Sequence, residues 1–183
     1  MITEEECKRA QRKALRYLKR AGIVLTLDEA KNIEVVDFGL GNLKKFGLEI
    51  ITYINTERCC AKELVLFPGQ ICAEHLHADM DGKRGKEETF RCRWGIVYLY
   101  VPGQRTPNPC VSLIDLEDKK YFTVWKEIIL KPGQQYTILP NTKHWFYAGP
   151  KGAIISEFST HSYDEKDVFT DPRVQRITKI RRI

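Results

Sequence analysis

From Phe46 to about Thr160 the chain is cut into short β-favouring runs, and no other feature limits its fold as strongly. LEIITYI, ELVLF, TFRCRWGIVYLYV, VSLI, YFTVW, EIILK, YTIL, HWFYA and AIISEF are rich in branched and aromatic residues and are parted by Pro, Gly, Asn or charged residues. Pro68-Gly69, Pro102-Gly103 and Pro132-Gly133 each close an apolar run, as turn dipeptides do. Strands this short and this evenly punctuated imply a barrel or a sandwich. At 183 residues and 43% hydrophobic content, the chain has material for one core and one domain, residues 1–183.

The N-terminal quarter reads differently. Thr3-Glu4-Glu5-Glu6 has the form of a capping box, and Cys7, Ala10, Ala14, Leu18 and Ala21 follow at helical spacing until Gly22. Thr26-Leu27-Asp28-Glu29 opens a second, short helix, after which Ile33 to Val36 looks extended. The sequence therefore predicts a helical cap over 1–32, a β-barrel core over 46–160 and a C-terminal segment over 161–183.

A net charge of +6 invites a nucleic-acid partner, but its distribution argues against one. Residues 1–20 carry +4 and residues 172–183 carry +5, which leaves −3 for the body between them. No basic stripe interleaved with aromatics crosses that body, so no nucleic-acid partner is expected. No apolar run approaches the roughly 20 residues that span a bilayer, and the charged amphipathic start is unlike a signal peptide. A soluble, cytoplasmic protein without a membrane partner is expected. The six cysteines lack a CxxC pair, and in such a chain reduced thiols are expected rather than a disulfide framework.

Chemistry concentrates in Gly69–Gly95, GQICAEHLHADMDGKRGKEETFRCRWG. Alternate residues of a strand share a face, so His75 and His77 point the same way, and Lys86 and Glu88 stand in the same relation. His144 follows a second Pro-Gly-Gln opening and a short apolar run. Three imidazoles and a carboxylate suit Mn, Fe, Co, Ni or Zn, with geometry selecting among them. His75, His77, Glu88 and His144 are thus the expected ligands of a divalent ion, with coordination positions left over for a substrate.

The run Gly69-(x5)-His75-x-His77 … Glu88-(x6)-Gly95 resembles the first cupin motif, and Gly133 … Pro140-(x3)-His144 the second. Ten residues separate His77 from Glu88, where cupins usually have three or four, and the second motif is one residue tight and lacks its glycine. The longer block from Glu74-His75-Leu76-His77 through Asp81-Gly82-Lys83 and Gly85–Gly95 to Val101-Pro102-Gly103 resembles the D-lyxose isomerase family of cupins. LPNTKHWF and ISEFST are similar to that family too. The resemblance covers roughly residues 64 to 176. It implies a mainly β, jelly-roll-like cupin barrel, an aldose–ketose isomerase acting on D-lyxose and D-xylulose, often also on D-mannose and D-fructose, and a preference for Mn²⁺.

Such a reaction needs a divalent ion to hold the carbonyl and adjacent hydroxyl, and a base that moves a proton between C1 and C2 through a cis-enediol. Glu157 is the candidate base: in AIISEFS it shares a face with Ala153, Ile155 and Ser159, and an ionisable group in an otherwise apolar strand calls for a role. Lys86 is the second catalytic candidate, two residues before a ligand and able to reach a substrate oxygen. Lys86, Glu88, Trp94 and Phe146 are expected to contact the sugar. Arg91 and Arg93 should face away from the interior, and His161 should be a rim residue. Homodimerisation is expected from the frequency of twofold association and the need to cover sheet edges. The alternatives are an Fe²⁺-dependent dioxygenase and a sugar-binding cupin without turnover.

Overall fold

The computed structural model describes residues 1–111 and 116–181. The elements are β1 (Ile2–Thr3), α1 (Glu4–Arg20), α2 (Leu27–Lys31), β2 (Glu34–Val36), β3 (Leu48–Asn55), β4 (Cys60–Leu66), β5 (Ile71–Leu76), β6 (Glu88–Val101), α3 (Leu116–Lys119), β7 (Lys126–Leu130), β8 (Gln135–Ile138), β9 (His144–Ser159), β10 (Val168–Phe169) and β11 (Ile180–Arg181). Nine strands form one curled sheet in the order β10-β5-β9-β4-β3-β2, with β6 on the other edge of β9 and β7 and β8 on the far edge of β6. The fold is mainly β and cupin-like, as expected.

The long strands β6 and β9 are the spine of this sheet. They pair antiparallel from Glu88↔Ser159 to Tyr100↔Trp145, and both bend midway, where the register shifts on each side of Trp94–Gly95. Gly95 and Gly152 meet at the corner with φ of 76° and 87°. A Cβ on Gly95 would lie 2.0 Å from the Gly152 carbonyl oxygen, so the two backbones close only because Gly95 has no side chain, and a Cβ on Gly152 would in turn lie 2.7 Å from the Leu66 carbonyl oxygen. HWFYA and AIISEF, which read as two runs, are therefore two halves of one bent strand.

Alternation along the strands sorts the apolar residues into two layers. Phe90, Cys92, Phe146 and Ile155 fill the barrel, while Val65 and Ile154 on the opposite face meet α1 through Cys7, Ala10, Ala14 and Leu18. Both capping boxes form: the Thr3 and Thr26 hydroxyls accept from Glu6 N and Glu29 N, and each glutamate accepts from the cap backbone. The sheet extends past residues 46–160 at both ends, through β2 and β10, and β1 pairs in parallel with β11.

One expected strand differs. YFTVW is a loop: Thr123 N and Val124 N donate to the Glu74 carboxylate and Trp145 Nε1 donates to Val124 O, so side chains replace a ladder. Its aromatics still pack inward, with Phe122 and Trp125 edge-on to Trp145. VSLI lies largely outside the described residues.

Candidate metal centre and active site

A bulge in β5 creates the site. Between Cys72↔Phe146 and His75↔His144 the β5–β9 register slips by one residue. Strict alternation would put Cys72 and Glu74 on one face. The extra residue instead turns Cys72, His75 and His77 to the cavity and sends Glu74 the other way. Glu74 there accepts from Thr123, Val124 and Thr170, pinning the 122–125 loop and the segment after β9 to the back of β5.

His75 and His144 are direct cross-strand partners, with ring centroids 4.2 Å apart. His77 lies just past the end of β5, where its carbonyl accepts from Asn141 N. The potential ligand nitrogens of His75, His77 and His144 lie within 4.8 Å of one another, and all three residues are buried. Each ring uses its Nδ1 elsewhere: His75 on Ala73 O at 2.8 Å, His77 on Asp167 Oδ1 at 2.5 Å, His144 on Thr142 O at 2.9 Å. Donation from Nδ1 leaves the Nε2 lone pair facing the centre, the form in which imidazole binds a metal. Nε2 of His144 is fully buried and makes no hydrogen bond, although Glu88 Oε1 is 2.9 Å away. A buried acceptor without a proton donor is costly in a protein and is satisfied by a cation. The residues fit a divalent ion, with Glu88 Oε1, 3.2 Å from His77 Nε2, beside them.

Glu88 enters from β6, across the barrel. Its other oxygen holds Lys86 Nζ at 2.7 Å, and Lys86 reaches Glu157 Oε1 at 2.9 Å, which Ser159 Oγ also approaches at 3.1 Å. Burial opposes the charge on Lys86, but the carboxylates of Glu157, Glu88, Asp164 and Asp167 outweigh it and hold the ammonium protonated well above the usual lysine range. Burial likewise opposes ionisation of Glu88, and Lys86 and His77 reverse the balance, keeping its carboxyl well below the usual range. His75 is pushed down by burial and by the neighbouring His144 and His77. For His77, burial is outweighed chiefly by Glu88 and by the Asp167 hydrogen bond, which lift it to about 9, so an arriving cation has to displace a proton from this ring before its Nε2 can serve as a ligand. The centre thus offers three nitrogens and an ionised carboxylate beside a buried Lys–Glu pair.

The structure brings His75, His77, His144, Glu88, Lys86 and Glu157 together, and Phe146 lines the same cavity. Trp94 does not join them. Its ring stands edge-on to Tyr17 of α1 at 5.3 Å, because the irregularity between Cys92 and Trp94 flips the alternation and sends Trp94 to the outer layer. Arg91 and Arg93 face outward, Arg91 bonding Gln135. His161 is at the rim, its Nδ1 on Thr56 O. The segment after β9 supplies residues that the sequence did not single out: Asp167 on His77, Asp164 joining Lys62 and Arg176 at 2.7 and 3.0 Å, and Phe169 against the His75 ring. The clue in HSYDEKDVF is faint, an apolar pair in a charged stretch that otherwise looks solvated.

Comparison with known proteins decides the family. The chain is 61% identical over 180 residues to the D-lyxose ketol-isomerase of Thermofilum sp. (strain ex4484_79), covering 98% of this chain and 99% of that one. It is 58% identical to the D-lyxose/D-mannose isomerase of Thermosediminibacter oceani, covering 98% and 99%, and 53% identical to the D-lyxose ketol-isomerase of Cohnella laeviribosi, covering 96% of each. The chain belongs to the D-lyxose ketol-isomerase family. This isomerase shares its fold with solved structures of much lower identity. The L-ribose isomerase of Cellulomonas parahominis superposes with a TM-score of 0.81 at 14% identity over 98% of both chains, and that of Acinetobacter sp. DL28 with 0.79 at 14% over the same shares. No protein-family model matches the chain. The isomerase interconverts aldoses and ketoses, and no helix among its described residues is long and apolar enough to cross a membrane.

Proposed function

We propose that this isomerase interconverts D-lyxose and D-xylulose, and D-mannose and D-fructose, with Glu157 as the base that carries the proton between C1 and C2. The observation that carries this is the buried Lys86–Glu157 pair beside three imidazoles whose Nδ1 atoms are all engaged. His75, His77, His144 and Glu88 would hold a divalent ion, which when bound polarises the sugar's carbonyl and hydroxyl oxygens. Lys86 offers its ammonium to a substrate oxygen and fixes Glu157 between two donors. Phe146 and the apolar wall exclude water from the proton being moved. Mn²⁺ is the proposed ion; Co²⁺, Fe²⁺, Ni²⁺ and Zn²⁺ fit the same donors.

We read residues 1–183 as one cupin unit, cytoplasmic and homodimeric. An apolar pair on the outer face, Ile54 and Phe158, the latter 51% exposed, supports association. The test is a panel of aldoses incubated with the purified protein and added Mn²⁺, read as ketose formed. D-Lyxose and D-mannose should give the highest rates. Binding without ketose would indicate a sugar-binding protein, and oxygen uptake would indicate a dioxygenase; either result sinks the proposal.

A further inference from the structure

The cavity at the metal centre is too small for the sugar. It holds about 40 Å³, enough for roughly three waters at the ~10–15 Å³ each requires. A second cavity of about 160 Å³ adjoins it, sharing His77, Lys86 and Asp167 as a common wall. An aldose with its C1–C2 end at the imidazoles therefore has most of its chain in the outer cavity. That cavity has a strong charge bias. Beyond the shared wall it is lined by Lys83, Arg84, Lys166 and His161, against which stands the single acid Asp81. Asp167, on the wall itself, is taken up by His77. Lys83, Arg84 and Lys166 make no ion pair among the described residues; Arg84 feels the Asp79 carboxylate and Lys166 stands 5.2 Å over the Tyr163 ring, which leaves an excess of positive charge at the mouth. A neutral sugar has no use for such an excess at its far end, whereas a phosphate dianion does.

The loop that presents two of these cations is built, not frayed. It is the ten-residue stretch between His77 and Glu88. Met80 and Lys83 exchange both backbone hydrogen bonds, Gly85 N donates to Asp79 Oδ1 at 2.7 Å, and Gly85 packs so tightly on His77 that a Cβ would lie 2.1 Å from its carbonyl oxygen. Lys83 and Arg84 are thereby held over the mouth, facing Lys166 on the 3₁₀ turn at Asp164–Lys166.

We infer that the outer cavity is an anion subsite, and that the isomerase also takes aldoses carrying a phosphate on the carbon farthest from the carbonyl. This extends the isomerase activity proposed above and rests on it. The chemistry is unchanged: a proton leaves C2 and one arrives at C1, the ester bond stays intact, and no oxidant or reductant is needed.

The test compares D-mannose with D-mannose 6-phosphate at fixed free Mn²⁺, for the parent and for a variant combining Lys83→Gln, Arg84→Gln and Lys166→Gln. The parent should have the lower KM for the phosphate ester, by about tenfold at low ionic strength, with the advantage shrinking as salt is added. In the variant the KM for the ester should rise by about that tenfold, so that the ratio of the two KM values returns to about one. Inorganic phosphate should inhibit the parent competitively at concentrations that leave the variant untouched. Turnover of D-mannose with none of its 6-phosphate, or equal KM values for the ester in parent and variant, would overturn the inference while leaving the isomerase intact. Turnover of neither sugar, nor of D-lyxose run beside them, would remove the isomerase assignment and the subsite together.

Discussion

Glu157 is held between the Lys86 ammonium and the Ser159 hydroxyl, at 2.9 and 3.1 Å, which aims its carboxylate at the cavity. Glu157→Gln retains the shape and loses the basicity, so turnover should fall by about 10²–10⁴ while bound metal, measured by elemental analysis, stays stoichiometric. A variant of near-parental rate would move the role to another group. Glu74 and Glu87 are poor substitutes, since Glu74 is saturated with donors behind β5 and Glu87 is exposed. The three imidazoles are legible in the sequence because His-x-His on a strand fixes a face and Pro-Gly-Gln announces the second strand. Asp167 is not, since nothing local says that a charged stretch folds back onto His77. Glu49 is a residue of another kind. Fully buried under α1, with Oε2 unbonded and Gln70 Nε2 at 3.4 Å, its carboxyl is pushed by burial up to about 8. A folded-state value above the unfolded one means that its contribution is complete below about pH 4.5, declines as pH rises, and is gone above about 8. Relative to the parent, Glu49→Gln should gain stability from pH 5 to pH 9 by a few kcal/mol, read from denaturant curves at each pH. Parallel curves at all pH values would show that Glu49 does not titrate in this window.

At the scale of elements, the segment after β9 does more than its basic composition suggests. Arg176 reaches Glu34 and Asp164, Thr178 Oγ1 accepts from Asp37 N, and Gln175 N donates to Phe38 O. These contacts join the segment to β2 and to the cavity wall that Arg176 lines. Deleting residues from Val174 onward should therefore weaken metal retention and cut turnover by more than tenfold, an effect expected when the half-buried, paired Asp164 loses Arg176. A truncated protein that keeps its metal and its rate would make the segment a mere tail. Strand runs with regular alternation are readable from sequence, while the 122–125 loop is not: its composition favours β structure, and only the distant Glu74 carboxylate decides otherwise. The outward turn of Trp94 is hidden for the same reason, since a one-residue slip is set by corner packing against Gly152 and not by local preference.

For the whole molecule, a centre built from β5, β6, β9 and the segment after β9 would tie distant parts of the chain to one ion. Ligand binding to the folded state alone stabilises by RT ln(1 + [L]/Kd), about 2.7 kcal/mol at a hundredfold excess over Kd. Thermal unfolding should therefore shift upward with added Mn²⁺ and back with chelator, and the shift should vanish in His75→Ala or His144→Ala. An unchanged midpoint in the parent would mean that the imidazoles do not hold the ion.

The wall formed by Asp164, Asp167 and Arg176 also sets an order of events during synthesis. A chain emerging from the ribosome has His75, His77, Glu88 and His144 in hand once β9 has begun, but the carboxylate that fixes His77 and the guanidinium that braces Asp164 are still to come. Capture of an ion in that final geometry would thus wait until the segment carrying Asp164, Asp167 and Arg176 has been made, well after the last of the four donors, so a half-made barrel would hold the donors without their braces.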